Sequence, residues 1–291
     1  MTAAVEHAHR IGGVVQNWIE AGAGPAVLLL HGSLSDYRYW APQMAPLAES
    51  YRVLALSLRH HWPAGGEASA NCGLDAYSAS SQVKDVVALI EDRELGPVHL
   101  VGHSRGAAVS LMLALQAPQL VRSLVLADPA LQIHKGGDSS SDFALAAVQP
   151  ASDGADPRRE AAALIEAGDI DGGLNLFIDT VSGPGIWARM NSRRKQMARD
   201  NARSLVGQLS EGPLVFSAEG IRAMDGPVLL MGGERSPAPY PETRELLRKL
   251  LPEARHVQVP RASHAMNAEN PGAFNSELLA FLDASSRGDM P

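Results

Sequence analysis

Val98-His99-Leu100-Val101-Gly102-His103-Ser104-Arg105-Gly106 decides how this chain is read. A short apolar run enters a Gly-His-Ser-Arg-Gly turn, and an apolar helical pattern leaves it from Ala107 to Gln116. A serine on a sharp strand-to-helix turn is held in a strained backbone conformation with its hydroxyl exposed. Glycines two before and two after leave room, because side chains there would strike the strand or the helix. The pattern G-x-S-x-G is a weak signal by itself. A strand before it and a helix after it make it specific.

Working outward, further short apolar runs read as strands: Val14–Ile19, Ala26–Leu30, Arg52–Leu56, Val98–Val101, Ser123–Ala127, Val228–Met231 and His256–Val259. Their apolarity is continuous rather than alternating, which suits strands buried on both faces of a parallel sheet. Helical patterns alternate with them. Ser78–Glu94 gathers Val83, Val86, Val87, Leu89 and Ile90 on one face; Arg105–Gln116 is apolar nearly all round and stops at Pro118; Glu242–Leu251 and Ala268–Ala284 are amphipathic. Strand and helix in alternation predict a doubly wound α/β fold with a mostly parallel sheet.

The rhythm breaks between Leu131 and Asp225. Gly136-Gly137-Asp138-Ser139-Ser140-Ser141 is linker chemistry, and three helical patterns follow it without strands: Arg158–Ala167, Ile170–Val181 and Asn191–Leu209. The expected organisation is a core in two parts, residues 1–130 and 226–291, interrupted by an all-helical insertion over 131–225.

Two further segments fall where the serine turn needs partners. Ala26–Leu30 runs into His31-Gly32-Ser33, and Val257-Gln-Val-Pro260 leads to Ala262-Ser263-His264. With HGSLSDYRYW, VHLVGHSRGAAVSL, VRSLVLADPA, PVLLMGGERSP and VPRASHAMNAENP in that order, nearly the whole chain resembles the α/β-hydrolase superfamily. The resemblance implies that the helical insertion is a cap, which roofs the serine and shapes the substrate pocket. After Arg52–Leu56 the chain reads Arg59-His-His-Trp-Pro-Ala-Gly-Gly, departing from the family's common Asp-x-Arg-Gly-x-Gly, a difference that bears on loop shape.

Ser104 is a poor nucleophile without a base, and the resemblance makes His264 that base. A base needs an acid to fix its tautomer and stabilise the imidazolium. Many family members place an aspartate in G-x-x-D after the strand corresponding to Val228–Met231; here the sequence is Gly233-Glu234-Arg235-Ser236. Two carboxylates compete for the vacant role. Asp128 ends the strand Ser123–Ala127, a position some α/β-hydrolases use, and is favoured; Glu234 lies two residues before the usual slot. The backbone N–H groups of Ser33 and Arg105 are the expected oxyanion donors. Tyr37, Trp40, His103 and Trp187 are the candidate substrate contacts, with Tyr39 in the same aromatic run. His31 is expected to orient the oxyanion loop, and His60 and His61 to be exposed.

Composition bounds the alternatives. The chain has 291 residues, 45% of them apolar, and a formal net charge of −7. An acidic chain argues against nucleic acid as partner, and no apolar stretch is long enough for a membrane span. The cluster Arg189, Arg193, Arg194, Lys195, Arg199 and Arg203, flanked by Asp179, Asp200 and Glu211, reads as a solvated helix face. Met1–Gly13 lacks the apolar block of a secretory signal. Cys72 is the only cysteine, so a reducing cytoplasm is the expected location and Cys72 itself is read as incidental. No metal-ligand or nucleotide motif is present, so no cofactor is expected.

The resulting expectation is a serine hydrolase of a small-molecule ester or lactone. Its alternatives are a cofactor-free haloperoxidase or dioxygenase of the same fold, and a non-catalytic ligand-binding relative, for which the serine at position 236 would be a symptom.

Overall fold

The computed structural model describes residues 4–63, 74–134, 156–211 and 214–287. Cys72 and the linker stretch 136–141 lie outside the described residues. The sheet has eight strands. Val5–Ile11 (β1) and Val14–Ala21 (β2) form a hairpin through Gly12-Gly13, both at positive φ as a tight hairpin turn requires. Next come Ala26–Leu30 (β3), Arg52–Ser57 (β4), Val98–His103 (β5) and Val121–Ala127 (β6). Gln132–His134 (β7) pairs with Val215–Ser217 (β8) as a separate ribbon, and Val228–Gly233 (β9) and Arg255–Val259 (β10) complete the large sheet. Its order is β1-β2-β4-β3-β5-β6-β9-β10, antiparallel through β1, β2 and β4 and parallel from β4 onward.

Continuous apolarity in the central strands has the expected cause. Leu28, Leu30, Leu54 and Leu56 enter one core, while Val27, Leu29, Val53 and Ala55 enter the core on the opposite face. Ala79–Asp92 (α2), Arg105–Gln116 (α3) and Tyr240–Leu250 (α10) cover the first face. Ala41–Leu47 (α1), Met266–Glu269 (α11) and Pro271–Arg287 (α12) cover the second. β1 was not legible as a strand, because it is a polar sheet edge whose His7 and His9 rings lie against Trp18.

The insertion departs from the all-helical expectation at its base, where β7 and β8 pair. Its helices are Pro157–Glu166 (α4), Ile170–Ser182 (α5), Ile186–Arg189 (α6), Ser192–Asp200 (α7) and Ala202–Ser210 (α8), followed by Ala218–Arg222 (α9) after β8. The helices α4 to α8 share a small core that includes Leu174, Phe177, Trp187 and Leu205, whereas α9 packs Ala218 and Ile221 into the core of the sheet. The pattern expected as one helix over 191–209 breaks at Asn201. The Asn201 side chain donates to Asp36 Oδ2 at 2.7 Å and accepts the Trp62 N–H at 2.8 Å, tying the insertion to the core. Asp36 in turn chelates Arg38, which also reaches Asp200 at 2.8 Å.

Candidate active site

Ser104 sits at φ +52° and ψ −119° between β5 and α3, a conformation costly for any residue but glycine. The turn is possible because its neighbours are bare. A Cβ on Gly102 would strike Gly106 O, and one on Gly106 would strike the carbonyls of Leu30 and His31. Backbone hydrogen bonds hold the turn in place: Ser104 N–H donates to Ala127 O at 2.9 Å and Ala130 N–H to Ser104 O at 3.1 Å.

Because β6 pairs with β5, Asp128 emerges beside the serine at the same sheet edge. Asp128 is fully buried, and its Oδ2 lies 3.3 Å from His264 Nδ1. Since the carboxylate can only accept, Nδ1 carries the proton and Nε2 is left as a base. Two further groups, which sequence reasoning missed, hold the carboxylate. Ser236 Oγ donates to Oδ2 at 2.5 Å, and the buried guanidinium of Arg244 pairs with Oδ1. Arg244 fits because residue 232 is glycine; a Cβ there would overlap the guanidinium. Glu234 lies elsewhere: it is exposed, and its Oε2 accepts the Arg261 N–H at 2.6 Å.

Ser104 and His264 line one cavity of about 190 Å³ between the sheet edge and the helical insertion. The Ser104 hydroxyl meets that of Tyr240, and the Tyr240 ring stacks on His264 at 4.0 Å between centroids. His264 also contacts His103, with 4.6 Å between ring centroids. Ser33 and Arg105 both border the cavity, and among the described residues neither backbone N–H donates to a protein acceptor. The Ser33 hydroxyl is committed to Gln208 Oε1 at 2.7 Å, and the Arg105 guanidinium to Glu211 at 2.7 Å and Tyr77 O at 2.9 Å.

Three candidate substrate contacts do not reach the cavity. Tyr37 and Trp40 are three apart on a 3₁₀ turn, where i and i+3 share a face. Both point into the core, Tyr37 against Trp62 and Trp40 between Tyr39 and Phe274. Tyr39 projects from the same turn to the cavity wall instead. Trp187 belongs to the core of the insertion, with Lys195 and Arg199 over its ring. His103 does border the cavity and donates from Nε2 to His264 O at 2.7 Å. Burial, then the neighbouring His264, pushes the His103 pKa well below its ordinary value, so the ring is neutral.

Two other readings change. His61 is buried, not exposed: its Nε2 accepts from Gln208 at 3.2 Å and its ring meets His31 at 4.8 Å. The basic cluster is not one solvated face. Arg199 pairs with Asp171 outside, but Arg194 turns onto the cavity wall. The flanking acids serve other partners: Asp200 holds Arg38, Glu211 holds Arg105, and Asp179 accepts the N–H groups of Gly185 and Trp187.

Among the described residues no group of three or more His, Cys, Asp or Glu side chains could hold a metal ion, and no helix is long and apolar enough to cross a membrane. The cavity instead assembles a strained hydroxyl, an imidazole committed through Nδ1 to a carboxylate, and two free N–H donors. Those are the groups that base-assisted acyl transfer uses.

Known proteins are similar over most of the length. The protein named "Putative carbamate hydrolase RutD" of Agrobacterium fabrum is 26% identical over 270 residues, covering 89% of this chain and 93% of that protein. The 2-(acetamidomethylene)succinate hydrolase of Mesorhizobium japonicum is 28% identical over 289 residues, 94% of each. The solved structure of carboxylesterase CesB from Bacillus subtilis matches with a TM-score of 0.73 at 21% identity, covering 97% of this chain and 92% of that one. The family model described as alpha/beta hydrolase fold matches residues 25–271, so the chain belongs to the α/β-hydrolase family.

Proposed function

We propose that this protein is a serine hydrolase that cleaves a carboxylic ester or lactone through an acyl-enzyme. Ser104 is the nucleophile, His264 the proton shuttle and Asp128 the acid that orients it. His264 Nε2 takes the Ser104 proton as Oγ bonds to the substrate carbonyl carbon. The carbonyl electron pair moves to oxygen, which accepts from the N–H groups of Ser33 and Arg105. Collapse breaks the C–O bond, and the leaving oxygen takes the proton from His264. Water then repeats the sequence: His264 takes its proton, the hydroxide oxygen bonds to the acyl carbon, and the acid leaves as Ser104 recovers a proton. The Ser104 hydroxyl closes on His264 Nε2 as substrate enters; catalytic hydrogen bonds commonly tighten only at that stage.

The observation that carries this reading is the 3.3 Å approach of His264 Nδ1 to a buried Asp128 beside a strained Ser104. The relatives named as hydrolases agree with it at the level of reaction class. A fluorophosphonate probe should label the wild type and not Ser104→Ala. The same substitution should lower hydrolysis of short p-nitrophenyl esters by on the order of a thousandfold or more. Equal labelling of both proteins, or a folded variant retaining most of its activity, overturns the assignment.

A further inference from the structure

We propose that Arg194 and the Tyr39 hydroxyl form a carboxylate-binding subsite in the Ser104 cavity, so that the substrate is an ester bearing a second, free carboxylate. For turnover this inference rests on the hydrolase reading above. The anion site itself rests on the cavity wall.

The charge of that wall is opposite to the charge of the chain. The protein carries a formal net charge of −7, yet among the described residues no aspartate or glutamate lines the cavity. Arg105, Arg158 and Arg194 do. Two of these have an acid partner behind the wall: Glu211 holds Arg105 at 2.7 Å, and Asp156 holds Arg158 through Nε and Nη2, both at 2.9 Å. Arg194, half-buried in the first turn of α7, has no acid partner among the described residues. Its neighbours on the wall include Met190, Met197 and Ala198. A guanidinium among apolar side chains, without a counter-ion, favours an anionic guest.

A second donor follows from the tautomer of His103. Its Nε2 lies 2.7 Å from His264 O, and a carbonyl only accepts, so Nε2 carries the proton. The Tyr39 hydroxyl, 3.3 Å from the same nitrogen, can therefore only accept there, and its own proton has no acceptor among the described residues. Burial raises the Tyr39 pKa, so the proton stays on oxygen, and the charge of Arg194 acts on both Tyr39 and His103. A planar guanidinium fork and one hydroxyl donor on the wall of the same cavity match a carboxylate.

Two matched substrate pairs test the subsite. The first is the p-nitrophenyl half-ester of adipic acid against p-nitrophenyl hexanoate, which puts the charge on the acyl side. The second is the acetyl ester of 4-hydroxybenzoate against phenyl acetate, which puts it on the leaving group. In at least one pair the wild type should prefer the charged ester. The charged-to-neutral ratio of kcat/KM should fall at least roughly tenfold in Arg194→Gln, mainly through KM, and recover in part in Arg194→Lys. Tyr39→Phe should lower the same ratio by less. Ratios at or below one in both wild-type pairs, or ratios that Arg194→Gln leaves within twofold, overturn the subsite.

Calorimetry with adipate on Ser104→Ala needs no turnover: binding is expected, and it should vanish when Arg194→Gln is added. Binding that survives the added substitution, or no binding at all, counts against the subsite. Adipate binding lost with Arg194, in a protein that neither labels with fluorophosphonate nor cleaves the neutral esters, keeps the subsite and overturns the hydrolase reading.

Discussion

Ser236 donates its hydroxyl to Asp128 Oδ2 at 2.5 Å, across the gap between the ends of neighbouring strands β9 and β6. The turn after β9 thus supplies a hydrogen bond to a carboxylate carried by the neighbouring strand. Both positions reach the same point because Ala127 and Met231 are paired in register, one residue before Asp128 and five before Ser236. Arg244 closes the other side of the carboxylate.

Asp128→Asn should lower kcat for ester hydrolysis by on the order of a thousandfold or more, since the amide forfeits tautomer control and imidazolium stabilisation. Glu234→Gln, whose side chain caps the Arg261 N–H on the surface, should cost less than about threefold, as surface changes away from a site usually do. Steady-state kinetics of the two variants decide the matter. A dead Glu234→Gln with an active Asp128→Asn would reverse the roles.

Ser236→Asp should partly rescue Asp128→Asn. The two side chains already touch, so a carboxylate grown from position 236 arrives where the lost one stood. A gain of at least about tenfold over Asp128→Asn alone is expected, the size of a charge-assisted hydrogen bond. In the presence of Asp128 the same substitution should instead destabilise, because two buried carboxylates would share one site. Urea unfolding midpoints and kcat of the three variants test both signs.

Acid should unfold this protein through His31 and His61. Both are fully buried, 4.8 Å apart, and burial holds their pKa values at about 4 and about 3, against 6.5 for a free histidine; the charge of His31 adds to the depression at His61. The unfolded chain therefore binds protons that the folded chain refuses. The stabilisation is complete above pH 6.5 and is lost as pH falls toward 4 and then 3. Across that window His31 contributes at most about 3 kcal/mol and His61 at most about 5 kcal/mol. Urea midpoints measured from pH 7 to pH 4 should fall steeply, and His61→Gln should flatten the slope. A midpoint independent of pH would refute this account.

Native-state hydrogen exchange should separate the insertion from the sheet. β5 lies between β3 and β6 with apolar cores on both faces, whereas α5 packs on a small core. The insertion is tied to the sheet domain partly by polar contacts, such as Asn201 to Asp36 and Gln208 to Ser33. Amides of Val98–His103 should outlast those of Ile170–Ser182 by at least about tenfold. Equal protection would show that the two open together.

How much of this was legible beforehand depends on the range of the interaction. The strands β3, β5 and β6, the helix α3 and the turn at Ser104 are written in local patterns: apolar runs, glycine spacing and a proline stop. Backbone sterics and burial act on neighbours in the chain, so a linear reading finds them. Adjacency of β5 and β6 also follows from chain order, which puts Asp128 at the sheet edge that carries Ser104.

What only the tertiary structure decided was the direction of side chains and the company they keep. Tyr37, Tyr39 and Trp40 are indistinguishable as a sequence run, yet the 3₁₀ turn sends two into the core and one to the cavity. Ser236 and Arg244 look like loop and helix polar residues until Asp128, more than a hundred positions away, is brought between them. Arg194 belongs to a basic stretch whose members part company because one helical turn points them 100° apart per residue. Hydrogen bonds and ion pairs between distant positions depend on ångström-scale placement, which residue order does not encode; hydrophobic periodicity and turn chemistry need only near neighbours, which it does.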